Sequence, residues 1–471
     1  MIRELPATPS LSSQFDAMRA ASRHDQYPDW SVRADRLRRL RALVLDHQPA
    51  LAEAIDADFT QRPRQETALL EVFPSIAGID DALRHGKRWM RPRRAHTGLW
   101  FLPGRSRLVP QPLGVIGIVV PWNYPLYLAM GPLVGALVAG NRAMIKLSEY
   151  TPRFAALFEA LIHRAFAPDE VAVINGDADV ARQFCTLPFD HLLFTGSTAV
   201  GHEVMRAAAT HLTPVTLELG GKSPAIIGPD ADLEHAVERI LVGKLVNAGQ
   251  TCIAPDYVLV PNAQRERFVH AAVRCVARLY PDLARNGDYT SIISARHFAR
   301  LQSMVSAAEA AGAQRVALSD AAPDAQARRF PPELLLDVPD DAMAMQEEIF
   351  GPVLPVVGYD TLDAAIGYVN ARPRPLALYV FDRRRAHVDA VTQQTVAGGV
   401  TVNDTLFHIA QDDLPFGGVG ASGMGVYHGA AGFETFSKLK PVFLQARLNG
   451  AGLLKPPYGK RFEAMLKLLI R

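Results

Sequence analysis

Two hydrophobic periods divide this chain. Over the first ninety residues apolar positions recur at helical spacing, as with Leu37, Leu40 and Val44, and this stretch predicts helices. From Gly114 the texture changes to short apolar runs rich in β-branched residues: GVIGIVV (114–120), AMIKLS (143–148), VAVIN (171–175), HLLFTG (191–196) and PAIIG (224–228). Helical stretches such as 151–166 and 200–210 fill the gaps. Apolar runs without polar alternation read as strands covered on both faces, so the pattern predicts βαβ units and a parallel sheet. A second series follows Gln250, with DYVLV (256–260), a helix over 265–280, ALYVF (377–381) and GGVTVND (398–404). It predicts a second α/β domain. The segment 438–445 reads as a lone strand without a hairpin partner, and such a strand needs another sheet or another subunit.

Composition narrows the class. The chain has 471 residues, 49% hydrophobic and 21% charged, which fits a soluble globular protein of two to four domains. A formal charge of +2 gives no global reason to bind nucleic acid. The arginines of 35–44 read as a solvated face, and the basic run Lys87–Arg94 as a helix end or subunit contact. Cys185, Cys252 and Cys275 form no CxxC pair, so neither a disulfide framework nor a structural zinc site is expected, and no metal site is assigned. Sparse cysteines and an N-terminus without an apolar h-region point to a cytoplasmic protein. No charge falls between Arg107 and Arg142, yet prolines 110, 112, 121, 125 and 132 and Asn123 interrupt the segment. The reading is buried strand, polar loop and buried helix, with no membrane span.

Several residues carry potential chemistry. Cys252 sits among small and polar residues in NAGQTCIAP, whereas Cys275 lies inside a helix and Cys185 between a helix and a proline. Cys252 is the candidate nucleophile, provided a base or a depressed pKa activates it. Glu218, between Leu217 and Leu219 and before two glycines, has an apolar setting that raises a carboxyl toward general-base range; a turn-capping carboxylate is the alternative. Asn123, bracketed by prolines in PWNYP, could donate to an oxyanion or serve only its turn. Lys146 and Glu149, at a strand's end, could grip ribose hydroxyls, an acidic residue leaning toward NAD over NADP; an ordinary surface ion pair is the alternative. FTGSTAVG (194–201) offers helix N-terminal amides to a phosphate, without the G-x-G-x-x-G fingerprint.

Taken in order, PWNYP, IKLSE, FTGSTAVG, LELGGKSP, GQTC, EEIFGP (347–352) and LPFGGVGASGMG (414–425) resemble the aldehyde dehydrogenase superfamily from about residue 10 to about residue 447. The C-terminal motif and NDTLFHIAQDDLPFGG (403–418) resemble the class 3 and bacterial coniferyl aldehyde branch. The resemblance implies an α/β fold with a Rossmann-like cofactor domain (1–93 and 113–220), an α/β catalytic domain (221–427), a small β oligomerisation flap (94–112 and 428–447) and a tail (448–471). It implies a homodimer. It implies Cys252 as nucleophile, Glu218 as general base and Asn123 as oxyanion donor together with the Cys252 N–H. It implies a cofactor cleft lined by Trp122, Lys146, Ser148, Glu149, Gly196, Ser197, Gly201, Leu219, Glu348 and Phe350, taking NAD, with NADP open. The implied reaction oxidises an aldehyde to the acid through a cysteine thiohemiacetal and a thioester that water hydrolyses. Tyr124, Tyr127, Leu128 and Phe407 are candidates for an apolar entrance suited to aromatic or medium-to-long alkyl aldehydes, with core packing as the alternative.

Three rivals stand beside this reading. A CoA-acylating enzyme would transfer the acyl group to CoA, but an intact Glu218 speaks for hydrolysis. A non-catalytic member of the fold would not need complete motifs. A cofactor-free cysteine hydrolase needs a histidine base, and His408 and His428 show no triad context. At the C-terminus, Phe462, Met465, Leu466, Leu469 and Ile470 form one apolar helical face beside Lys460, Arg461 and Lys467. This helix is expected to pack on the protein, at the substrate mouth or on a partner subunit; contact with a membrane surface is the other use of such a face.

Overall fold

Strands that are apolar on both faces must be covered on both, and two sheets here obey that rule. The computed structural model describes residues 10–470, without the side chain of Leu453. Residues 1–9, part of the N-terminal stretch read as carrying no secretory signal and the start of the expected cofactor domain, lie outside the described residues, as does Arg471.

The first sheet orders β15 (Gly423–Met424), β7 (Val215–Glu218), β6 (His191–Thr195), β3 (Val115–Val119), β4 (Arg142–Lys146) and β5 (Val171–Ile174). All its pairs are parallel except β15 with β7. The second orders β10 (Gln314–Ala317), β11 (Glu333–Leu336), β12 (Val353–Tyr359), β9 (Tyr257–Pro261), β8 (Pro224–Ile227), β13 (Ala377–Phe381) and β14 (Gly399–Val402), parallel apart from β10 with β11. The run PAIIG therefore opens the second sheet, earlier than the expected start after Gln250. Its neighbours are β9 and β13, and the two glycines before it let the chain cross from one sheet to the other. Gly423–Met424, inside the span 221–427, adds an edge strand to the first sheet.

The third sheet supplies the partner that the C-terminal strand was expected to need. With no hairpin partner nearby, β16 (Ser437–Leu444) pairs along its whole length with β2 (Arg105–Pro112), which also pairs with β1 (Arg93–Ala95). Its partner lies some three hundred residues upstream, too far for any local hairpin signal.

The uncharged stretch after Arg107 forms β3, a turn over 120–126 and the helix Tyr127–Ala139, almost wholly buried. One apolar core joins both large sheets through residues such as Leu37, Ile118, Ile227 and Leu334. The C-terminal helix Lys460–Leu469 has no buried residue, and Leu466, Leu468 and Ile470 stand exposed. The single chain does not bury the apolar face that was expected to pack. Among the described residues no helix is long and apolar enough to cross a membrane.

The helix Tyr127–Ala139 carries the polar turn at its N-terminus, so its other end needs anchoring. Gly140, at φ 94°, closes it, and the buried Arg33 donates to the carbonyls of Val138 (3.0 Å), Ala139 (2.7 Å) and Pro28 (2.8 Å). A cation on the last carbonyls satisfies groups that the helix itself leaves open. Arg33→Met is expected to cost about 3 kcal/mol by stranding these carbonyls, checked by a lowered thermal midpoint; an unchanged midpoint would reject the anchoring role.

Candidate active site

Four chain segments converge at the carboxyl ends of the first sheet, facing the second. The turn after β3 carries Trp122, Asn123 and Tyr124. The end of β7 carries Glu218. The loop after the helix Leu233–Leu245 carries Cys252, and the loop before β12 carries Glu348 and Phe350.

The cysteine loop has an uncommon backbone. Asn247 and Ala248 both have φ 52° and Gly249 has φ 75°. A non-glycine residue in that region is strained and needs support. The Asn247 N–H donates to both Glu66 carboxylate oxygens at 3.1 Å, and its Nδ2 donates to the carbonyls of Asn123 and Gln250 at 3.1 Å. The Gln250 side chain spans the loop, donating to Asn247 O (2.9 Å) and Ser291 O (3.1 Å) and accepting from Ile293 N (2.9 Å). Gly249 is obligatory: a Cβ there would strike the carbonyl of Gly351.

These bonds also bring Asn123 to the cysteine. Its Nδ2 donates to Gln250 O at 3.2 Å, and the Tyr124 hydroxyl meets Thr251 Oγ1 at 2.6 Å. A primary amide has two N–H donors, and one carries the bond to Gln250.

The electrostatics favour neutral forms. Glu218 is buried and neither carboxylate oxygen has a partner among the described residues, so burial pushes its pKa well above the ordinary range. Glu348 is pushed up to about 8, mainly by burial and further by Asp256. Burial also raises the Cys252 thiol; the charges of Glu348 and Glu218 add to this, and the amides of Cys252 and Ile253 oppose it. The thiol thus lies within electrostatic range of two carboxyls, each able to hold a proton. Cys185 and Cys275 are buried elsewhere, at the end of and within helices.

Trp122 packs edge-on against Phe350 at 5.3 Å and His297 at 5.0 Å. Glu348 Oε1 is buried without a partner among the described residues, and Gly220 has no room for a Cβ beside that carboxylate. Ser197 caps the helix Thr198–Ala209, its Oγ accepting from Val200 N at 3.4 Å, with Ser197 exposed after Gly196. Gly201 lies against Leu219, where an added Cβ would come within 2.8 Å of Cδ2. Lys146 is buried and donates to Leu147 O (2.6 Å) and Gly176 O (2.9 Å), so it forms no surface ion pair with the exposed Glu149; Ser148 Oγ accepts from Tyr150 N at 3.2 Å. An open helix N-terminus, an orphaned carboxylate oxygen and a cradle without Cβ atoms suit a nicotinamide dinucleotide.

The four entrance candidates do not share one wall. Tyr124 and Leu128 are buried, and Phe407 is 54% exposed with Arg239 over its ring at 5.6 Å. Tyr127 lines a cavity of ≈ 30 Å³ with Trp89, Met130, Asp412 and His428, and its hydroxyl meets His428 Nε2 at 3.2 Å. Asp412 is pushed up to about 6, chiefly by burial, and His428 down to about 3 for the same reason.

Sequence reasoning missed the groups beneath the site. Arg62 and Glu71 form a buried pair under the Asn123 turn, and Lys244, buried and lowered to about 8 mainly by burial, lies 3.9 Å from Asp256. The available signal was a charged residue inside an apolar run, as with Glu71 in Ala68–Phe73 and Lys244 in Ile240–Val246.

Comparison with known proteins places the chain in a family. Residues 10–442 match the model of the aldehyde dehydrogenase family. The chain is 52% identical to a Pseudomonas aeruginosa protein named "Probable coniferyl aldehyde dehydrogenase", over 98% of this chain and 96% of that protein. It superposes on the substrate-bound state of Staphylococcus aureus AldH with a TM-score of 0.93 at 36% identity, covering 98% and 100% of the two chains. A Mycobacterium tuberculosis aldehyde dehydrogenase complexed with NAD+ gives 0.82 at 28% identity, covering 93% and 90%.

Because burial raises the pKa of Glu218 in the folded chain, its ionisation opposes folding. Between its unfolded pKa and its raised folded pKa, stability falls as pH rises, by up to about 1.4 kcal/mol per unit. Glu218→Gln is expected to raise the thermal midpoint at pH 8 and to leave it unchanged near pH 4. Equal shifts at both pH values would argue against a buried protonated carboxyl.

Proposed function

The chain belongs to the aldehyde dehydrogenase family, and from that premise we propose how its residues divide the work. The protein oxidises an aldehyde to the carboxylic acid and uses a nicotinamide cofactor. The observation that carries the proposed division is the thiol of Cys252, which feels the charges of Glu218 and Glu348, on a loop bonded to the Asn123 turn.

In this reading Cys252 adds as thiolate to the aldehyde carbon, its proton leaving to solvent by way of the Glu218 carboxylate, and forms a tetrahedral thiohemiacetal. The Asn123 amide and the Cys252 N–H hold the developing oxyanion; removing one such donor typically costs about 3 kcal/mol. A bound oxidised nicotinamide supplies the hydride acceptor. Cys252 then carries the acyl group as a thioester. Glu218 takes the proton from the attacking water, a role its apolar setting suits because a raised pKa makes a stronger base. Trp122 and Phe350 would hold the nicotinamide side, Glu348 would bond a ribose hydroxyl, and Gly196, Ser197, Gly201 and Leu219 would receive the pyrophosphate. Lys146, Ser148 and Glu149 serve the adenosine end. Exposed Glu149 favours NAD, since a carboxylate repels a 2′-phosphate.

We assign the cofactor domain to 1–93 and 113–220, the catalytic domain to 221–427, the flap to 94–112 and 428–447, and the tail to 448–471. The flap supports a homodimer: β16 has a free edge, and Leu99–Leu102 and Phe443 are exposed beside it. Three free cysteines support a cytoplasmic location. The substrate proposed is an aromatic aldehyde of the coniferaldehyde type. The 52% identical relative, named a probable coniferyl aldehyde dehydrogenase, supports it.

NAD and NADP reduction with coniferaldehyde, benzaldehyde, hexanal and dodecanal, without CoA, tests the reading. Turnover is expected with the aromatic aldehydes, faster with NAD, and abolished in Cys252→Ala. Turnover that requires CoA would sink the hydrolytic step. In the active protein the acidic limb of the kcat–pH profile is expected above the ordinary glutamate range, because Glu218 must lose a strongly held proton to act as base.

A further inference from the structure

We propose that Arg62 and Glu71, which no step of the chemistry uses, are positioning residues that set where Asn123 holds its amide. The inference rests on the reading of Asn123 as oxyanion donor.

Arg62 Nη1 and Glu71 Oε1 lie 2.9 Å apart as an ion pair with both side chains fully buried. A buried pair of this kind gains little stability over apolar residues of the same size. What it does here is grip one turn at two points. Arg62 Nη1 donates to the Asn123 carbonyl at 3.1 Å, and its guanidinium stands over the rings of Tyr124 (5.0 Å) and Phe59 (5.1 Å). Glu71 Oε2 accepts the N–H groups of Leu126 (2.7 Å) and Tyr127 (3.2 Å), where the helix Tyr127–Ala139 begins. An anion on those amides also complements the positive helix end.

The same short segment holds the cysteine loop. Glu66 accepts the Asn247 N–H, and Asn247 Nδ2 is the second donor to the Asn123 carbonyl. Residues 62–71 therefore fix the Asn123 turn and the loop bearing Cys252 from one base. An oxyanion donor works only when aimed where the charge develops, and a displacement of about 1 Å can cost a factor of a hundred. Lysine at 62 would keep a charge but lose the planar group that stacks on two rings while bonding the carbonyl.

The test is a double-mutant cycle, assayed with benzaldehyde and NAD. Asn123→Ala is expected to lower kcat about 100- to 1000-fold. Arg62→Lys and Glu71→Gln are each expected to lower kcat about tenfold with KM within about twofold, and to add less than about twofold once Asn123 is alanine. Losses that multiply in the double variants would overturn the positioning role while leaving Asn123 as donor. An undiminished kcat in Asn123→Ala would instead overturn the oxyanion reading, and this inference with it. If a single variant does not fold, Arg62→Met with Glu71→Leu removes both charges together, strands neither, and enters the same cycle.

Discussion

Three consecutive residues with positive φ, Asn247 at 52°, Ala248 at 52° and Gly249 at 75°, turn the chain just before Cys252, where the loop bonds the Asn123 turn at the end of β3. Such a backbone does not hold itself. It persists because Glu66, Asn123, Gln250 and Ser291 satisfy its polar groups from three other parts of the chain. The absence of a side chain at Gly249 lets the Gly351 carbonyl close in, so the loop bearing Glu348 and Phe350 seats directly on the cysteine loop. Nucleophile, amide and cofactor-side residues thus share one set of contacts, and a shift in any of them is passed to the rest.

Desolvation is the second organising force. Glu218, Glu348, Lys244 and Cys252 are all driven toward their neutral forms by burial. A centre whose groups are driven toward neutrality suits chemistry in which charge appears only as bonds change. Thiolate, oxyanion and hydroxide each form transiently, and fixed dipoles aimed at them act strongly in a dry site. Permanent charges are kept at the margins, where they meet partners: Lys222 bonds Asp256 and two backbone carbonyls, and Arg300 reaches the carbonyls of Glu348 and Ile349. These contacts tie down the loop before β12 without placing a net charge beside the thiol.

Much of the architecture was legible because periodicity is a local property. The strands around 114–120, 143–148, 171–175 and 191–196 stand where the apolar runs lie, and the uncharged segment after Arg107 is strand, turn and buried helix. PAIIG went to the second sheet because the choice between sheets depends on long-range pairing with β9 and β13, which an apolar run does not encode. The strand 437–444 found its partner in β2 for the same reason. The C-terminal helix shows the reverse case. Its amphipathic face was visible in the spacing of Phe462, Met465, Leu466 and Leu469, yet the single chain leaves that face uncovered.

By itself, the sequence determined which residues are chemically equipped: a cysteine among small residues, a glutamate between leucines, an asparagine between prolines, and their order along the chain. Residue type and neighbours decide such properties, and both are written locally. Only the tertiary structure decided that Asn123, Glu218 and Cys252, separated by as many as 129 positions, meet at one centre. It alone decided that Lys146 is buried rather than paired at the surface, and that Arg62 and Glu71 lie under the Asn123 turn. A charged residue in an apolar run can be seen in sequence, but its partner cannot, because burial and pairing arise when distant segments exclude water together.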